Sequence, residues 1–318
     1  MESLALMLLA QWQLDPGWLP AIAALLLGLV GCVILLRGRS GLKGTTLLAP
    51  WGWCFVAWVA LFGSEVAIGT LHGLQIPVND EQWRYLAAMG LFCPQLSQIG
   101  AKRSQTLLWQ LVVVLFWVIL CLPVWRAWFS AGTGHMNPGP LWGTFLAVLI
   151  LAGVLNNGPT RFGCTALCLA SAQVLMTYSY LPGTGLDLTS SGVLASMVML
   201  VVGMMMVLLG WPTRPETMRA EDRAWIDFRD SYGGFWAARV MYRVNESAVR
   251  FDWGLWLGWN GFSQVEIVGS HPDYQDEVRH ALVSCLRRLL GDFVDQQWLD
   301  ARLPRPTQQK KGLEDLEA

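Results

Sequence analysis

The chain has 318 residues, of which 54% are hydrophobic and 14% charged, with a mean hydropathy of +0.41 and a formal net charge of −1. Soluble domains carry roughly a quarter of charged residues, so this composition excludes a wholly water-soluble protein. The near-neutral balance gives no basic surface for nucleic acid, and nucleic acid is therefore not an expected partner.

The charged residues are concentrated in the last third of the chain. Residues 1–210 hold 8 of the 22 basic and 6 of the 23 acidic residues, and the rest follow them. The sequence therefore predicts a transmembrane domain over residues 18–211, a small soluble domain over 212–303 and a disordered tail over 304–318.

Seven stretches are apolar enough to predict membrane-spanning helices, with the bilayer as their solvent. They are residues 18–36, 47–69, 84–99, 107–125, 141–155, 162–181 and 190–210. The preceding segment, 1–17, lacks the basic start of a signal peptide and predicts a short interfacial helix on the outer side. A cleaved signal peptide is the alternative.

The basic residues between the predicted spans indicate the orientation. With seven spans and the N-terminus outside, the inner loops hold six basic residues and the outer side holds only Arg84 and Arg126. Membrane proteins show this excess of positive charge inside. Omitting the weakest span, 84–99, removes the bias, so the charges favour seven spans and an inner C-terminus.

Glu65 is an acidic residue inside an otherwise apolar span. A rise of about 1.5 Å per residue puts it roughly 27 Å from the inner end of a core about 30 Å thick. His72 follows seven residues later on the same helical side. Two hypotheses remain open, a proton or cation site at the outer mouth formed by both residues, or two residues satisfied at the membrane boundary.

Neutral polar residues are predicted near the membrane midplane. Gln95 and Gln173 each lie about 17 Å into their spans, and Gln98 is close to the first. Pro94 removes a backbone donor and leaves the carbonyl of Gly90 without its usual partner. A broken helix with midplane polar groups is typical of transporters, whereas glutamines also join helices by hydrogen bonds.

No metal, cofactor or catalytic motif stands out in the sequence. Cys164 and Cys168 share a helix face but have no second pair of ligands nearby in the sequence, and no histidine lies deep in a span. Walker, GxSxG and HExxH motifs are absent. We therefore expect no cofactor and no metal, and the sequence favours a protein that is not an enzyme.

The last third predicts a helix, a β-hairpin and a second helix, which together make a small α+β domain. The first helix has an apolar face of Trp225, Phe228, Tyr232 and either Phe235 or Trp236, with a bend at Gly233-Gly234.

The hairpin is predicted to turn at Asn260-Gly261, which would pair Trp259 with Phe262. Its tryptophans, Trp253, Trp256 and Trp259, either pack in the core of the domain or form a docking surface for a protein partner.

Two segments carry a resemblance to a known group. They are GAKRSQTLLWQLVVVLFWVILCLP (residues 100–123) and WIDFRDSYGGFWAARVMYRVNESAVRFDWGLWLGWNGF (residues 225–262). Both resemble uncharacterised multi-pass membrane proteins of planctomycete-type bacteria. The resemblance covers spans three to seven and the soluble third. It implies a bacterial inner membrane and a cytoplasmic C-terminal domain, and it implies no catalytic residue.

The leading hypothesis is a scaffold, accessory or sensor component that acts through residues 212–303, with a protein partner or as a homodimer. The alternative is a small-solute or ion permease. It would use the midplane glutamines at positions 95, 98 and 173, with Glu65 at its outer mouth.

Overall fold

The computed structural model describes residues 18–129, 136, 138–181, 190–212, 219–264 and 272–303. The predicted interfacial segment 1–17 and the predicted tail 304–318 lie outside the described residues. The chain divides into two compact units. The helical unit comprises Met1–Lys43, Leu47–Ala101 and Gln105–Thr213, and the C-terminal unit comprises Gly44–Thr46, Lys102–Ser104 and Arg214–Ala318.

The described part of the helical unit consists mainly of helices. They are α1 (Trp18–Gly38), α2 (Leu48–Gly73), α3 (Asp80–Gly90), α4 (Cys93–Ile99), α5 (Thr106–Leu120), α6 (Leu122–Phe129), α7 (Pro140–Asn157), α8 (Gly163–Thr177) and α9 (Ser190–Leu208). Short 3-10 turns occupy Arg39–Leu42, Arg103–Gln105 and Tyr178–Tyr180.

Four helices of the described chain, α1, α2, α7 and α9, are long and apolar enough to cross a membrane. The pair α5–α6 makes a fifth if its 49° bend lies within one span. These helices indicate a membrane-embedded protein. The bend follows from Pro123, whose missing N–H cannot continue the backbone ladder.

The predicted third span, 84–99, is not one continuous helix. The helix ends at Gly90 and restarts at Cys93, so α3 and α4 are separate elements. Pro94 lies at the first turn of α4, where a missing N–H costs least. Asn79 begins α3 further upstream than expected, because its side chain accepts a hydrogen bond from the backbone N–H of Gln82.

Helices α1 and α2 pack closely through glycines. A Cβ atom on Gly28 would lie 2.4 Å from the Phe62 ring, and one on Gly31 would lie 2.2 Å from the Trp58 indole. The Trp58 Nε1–H donates to the carbonyl of Gly28 at 2.8 Å. Small residues allow this approach, which dispersion and hydrogen bonding reward in lipid.

The C-terminal unit contains α10 (Ala220–Arg250), β1 (Leu255–Gly258), β2 (Gly261–Gln264), α11 (Pro272–Leu290) and α12 (Gln296–Asp300). The predicted helix–hairpin–helix order is therefore present. Gly233 interrupts α10 with φ 81° and ψ 176°, a conformation that favours glycine, and this is the predicted bend.

Aromatic rings form the centre of the C-terminal unit. Phe228, Tyr232 and Trp236 each contact Phe293, at ring-centre distances of 5.1, 5.2 and 4.7 Å. Phe235 is exposed, so Trp236 is the residue that continues the predicted apolar face beyond Gly233. The kink changes the helical phase and thereby decides between the two.

The predicted hairpin register is wrong by one residue at the turn. Gly258 pairs with Gly261 and Leu257 with Phe262, so the turn is Trp259-Asn260 rather than Asn260-Gly261. The reason is tertiary, because side chains of α10 bind the backbone around the turn. Trp225 Nε1 donates to the Gly258 carbonyl at 3.2 Å, whereas the Phe262 amide donates to a carboxylate oxygen of Asp222, another α10 residue, at 2.7 Å.

Two short segments from between the predicted spans belong to the C-terminal unit. The Thr46 amide donates to the Phe293 carbonyl at 3.0 Å, and the Asp295 amide donates to the Gly44 carbonyl at 2.7 Å. The Arg103 amide donates to the Asp292 carbonyl at 2.9 Å. Residues 44–46 and 102–104 are thereby hydrogen-bonded to 292–295.

Candidate functional site

Glu65 is buried in an ion pair that the sequence analysis did not identify. Arg84 on α3 donates from Nε to Glu65 Oε1 at 2.6 Å and from Nη2 to Oε2 at 3.3 Å. The two residues are 2% and 6% exposed. Arg84 Nη2 also donates to the Ser190 hydroxyl at 2.7 Å, so the pair joins α2, α3 and α9. A planar guanidinium held on two carboxylate oxygens is a strong, directional contact.

His72 does not bond to Glu65 directly. Its Nε2 lies 3.1 Å from Asp80 Oδ1, in an ion-pair geometry that is not aligned as a hydrogen bond. Asp80 Oδ2 in turn lies 3.6 Å from Arg84 Nη2. The structure thus contains a series of neighbouring acidic and basic side chains in place of the predicted direct pair. The series is Glu65, Arg84, Asp80 and His72, and it runs from a buried carboxylate to a half-exposed imidazole.

Gln95 and Gln173 bond to each other. The Gln173 amide donates to Gln95 Oε1 at 3.3 Å, and the Gln95 amide lies 3.5 Å from Gln173 Oε1. Gln173 also donates to the Leu91 carbonyl at 3.2 Å, in the gap between α3 and α4. The fully buried Gln173 therefore supplies a donor to the broken helix, where backbone polar groups need partners. A Cβ on Gly153 would lie 2.3 Å from the Gln95 amide nitrogen, so this glycine makes room for it.

Gln98 bonds to a different partner, the C-terminal end of α7. Its amide donates to Asn157 Oδ1 at 3.3 Å, and the Asn156 amide donates back to Gln98 Oε1 at 3.3 Å. The three predicted midplane glutamines are therefore split between two hydrogen-bonded groups. A third group involves Gln110, whose Oε1 accepts from Trp53 Nε1 at 2.7 Å.

The three hairpin tryptophans lie in different environments. Trp253 is 8% exposed, Trp259 is half-buried and Trp256 is 49% exposed. The Arg229 guanidinium lies 5.2 Å from the Trp259 ring centre and donates to the Trp259 carbonyl at 2.7 Å. Trp256 is therefore the most exposed of the three tryptophans.

Three buried carboxylates of the C-terminal unit, Glu221, Asp227 and Asp230, accept hydrogen bonds from arginines. Arg229 donates to Asp230, Arg302 to Asp227 and Arg279 to Glu221, with the shortest distances between 2.7 and 2.8 Å. Burial lowers the pKa of Arg302 and raises the pKa of the Cys285 thiol. Burial also raises the pKa of Tyr232 to about 12, although hydrogen bonds with Thr46 oppose the shift.

Sequence reasoning missed Arg84, Asn156 and Asn157 as interior hydrogen-bonding residues. The pairing of Arg84 with Glu65 could have been predicted from the sequence. An acidic residue near the end of one span and a basic residue near the start of the next lie at similar depth in a helical hairpin. Within the described chain, no group of three His, Cys, Asp or Glu residues could hold a metal ion.

Comparison of the chain with models of protein families, with curated proteins and with solved structures returned no match.

Proposed function

We propose that the protein is a seven-span bacterial inner-membrane scaffold or accessory component, with the N-terminus outside, that self-associates through its C-terminal unit in the cytoplasm. The observation that carries the topology is the hydrogen bonding of residues 44–46 and 102–104 to residues 292–295. Segments bonded into one compact unit occupy one side of a bilayer, because the hydrocarbon core excludes such polar loops.

If these segments lie on one side of the membrane, the number of membrane crossings between any two of them is even. Residues 46 and 102 are separated by α2 and α3–α4, so α3–α4 would cross the membrane as α2 does. Helices α3 and α4 contain 11 and 7 residues, a combined rise of roughly 27 Å, which is close to the thickness of the hydrocarbon core. Between 104 and 219 the pair α5–α6, α7 and α9 give three crossings, so α8 is the fourth. Helix α1 then makes seven.

Charge supports an inner location for this side. Arg37, Arg39, Lys43, Lys102, Arg103 and Arg161 would all face the cytoplasm, whereas Arg84 and Arg126 would lie outside, as the positive-inside rule expects.

The hydrogen bonds of the interior glutamines support a structural role over a permease. Gln95 and Gln173 use their amides on each other and on a backbone carbonyl, and Gln98 is engaged by two asparagines. A solute path would need such groups directed to a passing ligand. The contacts instead match interhelical hydrogen bonds.

A surface for self-association runs along the second half of α10. Phe235, Tyr242 and Val249 recur every seven residues on one helical face and are 50%, 66% and 74% exposed. Exposed aromatic residues in such a stripe are typical of an interaction surface.

The spacing of the stripe suits a second copy of the same chain. An antiparallel two-fold pairing centred on Tyr242 brings Phe235 opposite Val249 of the partner helix, twice by symmetry. The same pairing brings Arg239 close to Glu246 of the partner helix, with opposite charges. Both residues are exposed, and Glu246 also pairs with Arg243 of its own helix at 3.0 Å.

The topology is tested with reporters that are active on one side of the membrane only. A fluorescent protein fused after Trp211 should fluoresce, and alkaline phosphatase inserted after Gln75 should be active. Phosphatase inserted after Lys102 should be inactive. Activity at Lys102 would contradict the crossing of α3–α4.

Self-association is tested by charge exchange in the full chain in detergent, with mass measured by light scattering. We expect a dimer for the wild type, monomers for Arg239→Glu and for Glu246→Arg, and a restored dimer for the double variant. A matched disulfide test compares Tyr242→Cys, which should cross-link to its own copy, with Arg243→Cys, which should not. A monomeric wild type would refute the surface without affecting the topology.

A further inference from the structure

We propose that the turn after α1 binds the headgroup of an anionic phospholipid. Arg37, Arg39 and Lys43 are exposed within seven residues of each other, and none forms an ion pair with a carboxylate in the described chain. Clustered basic side chains at the end of a membrane helix attract anionic lipid.

One of the three cations lies over an aromatic ring. The Arg39 guanidinium carbon lies 5.2 Å from the centre of the Trp51 ring. The indole is itself oriented, because Trp51 Nε1 donates to the Leu35 carbonyl at 2.9 Å and the ring stacks on Phe55. A guanidinium stacked on an aromatic face keeps its N–H groups available for a phosphate.

A row of exposed apolar side chains, called here the apolar lane, extends along α1 from these basic residues. Leu26, Leu29, Val33 and Leu36 are exposed on one helical face, and Arg37 follows Val33 by one turn. The lane is about 15 Å long, which is half of a hydrocarbon core of about 30 Å. A ligand that combines a phosphate with acyl chains of one leaflet fits both features, whereas free phosphate would use only the first.

The inner basic residue Lys102 provides a contrast. Its Nζ lies 3.0 Å from Asp292 Oδ2, so its charge is already engaged by a carboxylate. The ability to bind an anion therefore differs between two basic segments that the sequence predicts on the same side. The proposal uses the seven-span topology only to assign the turn to the inner leaflet, and purified protein tests binding without it.

The full chain is purified in micelles with equal amounts of phosphatidylglycerol and phosphatidylcholine, and native mass spectrometry counts the bound lipids. We expect the wild type to prefer phosphatidylglycerol at least fivefold, about the contribution of one basic side chain. The preference should vanish in Arg37→Gln/Arg39→Gln/Lys43→Gln and persist in Lys102→Gln. Trp51→Phe keeps every charge and should partially weaken the preference for phosphatidylglycerol. This variant tests the site independently in case the triple variant misfolds.

Inorganic phosphate in excess should leave the bound phosphatidylglycerol in place. Displacement by phosphate would reduce the site to a simple anion site and overturn the lipid assignment. Equal binding of the two lipids by the wild type, or loss of the preference in Lys102→Gln, would also overturn it.

Discussion

The helical unit and the C-terminal unit share one use of buried polar side chains and differ in another. Both contain pairs of side chains, such as Glu65 with Arg84 in the helical unit and Arg229 with Asp230 in the C-terminal unit. In the C-terminal unit, Asn245 both donates to and accepts from the backbone of Leu257, at 2.9 and 2.8 Å. Helices satisfy their own backbone, so their side chains are available to join one another, whereas a two-stranded hairpin needs partners for its free edges.

The apolar contacts differ in the same sense. The helical unit exposes leucine and valine on its helices and packs glycine against indole, because lipid provides no hydrophobic driving force between helices. The C-terminal unit buries Phe228, Tyr232 and Phe293 together, because the hydrophobic effect favours removing apolar surface from water. A single chain therefore follows two sets of packing rules.

Breaking the buried ion pair should have the largest effect. Arg84→Met leaves the carboxylate of Glu65 buried without its guanidinium, and we expect a loss of about 3–5 kcal/mol in the free energy of unfolding. Unfolding by sodium dodecyl sulfate in mixed micelles measures it. The double variant Glu65→Leu/Arg84→Met should recover most of the loss. His72→Gln, at the half-exposed end of the series, should cost less than about 1 kcal/mol.

Alkaline pH should weaken the C-terminal unit selectively. The pKa of a tyrosine in the unfolded chain is about 10, whereas burial raises the pKa of Tyr232 to about 12. Between these values the unfolded chain loses its proton first, so the free energy of unfolding falls as pH rises, by about 3 kcal/mol in all. This loss is absent below pH 10.

Urea unfolding followed by far-ultraviolet circular dichroism checks this prediction, because helices in detergent resist urea. Tyr232→Phe should remove the decline between pH 10 and 12, whereas the exposed Tyr242→Phe should retain it. An unchanged decline in Tyr232→Phe would assign the alkaline sensitivity to other groups.

Overfilling the contact between α1 and α2 should have an intermediate effect. In Gly31→Ala the new methyl group meets the Trp58 ring, and the strain should cost about 1–3 kcal/mol. Gly63→Ala, on α2, is the matched control because nothing lies within 4 Å of its Cβ position. That control should be neutral or slightly stabilising, since alanine favours helix. Thermal unfolding in detergent compares the two variants.

Removing the interior amides should have the smallest effect. Gln95→Leu and Gln173→Leu should each cost about 1 kcal/mol or less, because hydrogen bonds between helices contribute little in lipid. Thermal unfolding in detergent measures this cost. The folded double variant should also leave cellular function intact. Abolished solute flux in it would favour a permease and contradict the structural role of these residues.

Local features of the sequence sufficed for the helices. Apolar runs, Pro94 and Gly233 act on their own backbone or on immediate neighbours, so the helical segments, the break near residue 91 and the bend in α10 could all be predicted. The number of membrane crossings is harder to predict from the sequence, because α3–α4 and α8 are too short or too polar to be recognised as spans by composition alone. The distribution of basic residues and the contacts between distant segments both bear on whether these two elements cross.

Tertiary structure decided which partner each polar group meets. Glu65 lies 19 residues from Arg84, and Gln173 lies 82 residues from the Leu91 carbonyl that it bonds. The hairpin register likewise depends on Asp222, 40 residues before Phe262. Hydropathy and helical period reveal which residues need partners, since burial leaves a polar group unsatisfied unless it is bonded. The identity of each partner depends on how separate helices pack, and that is a property of the folded chain alone.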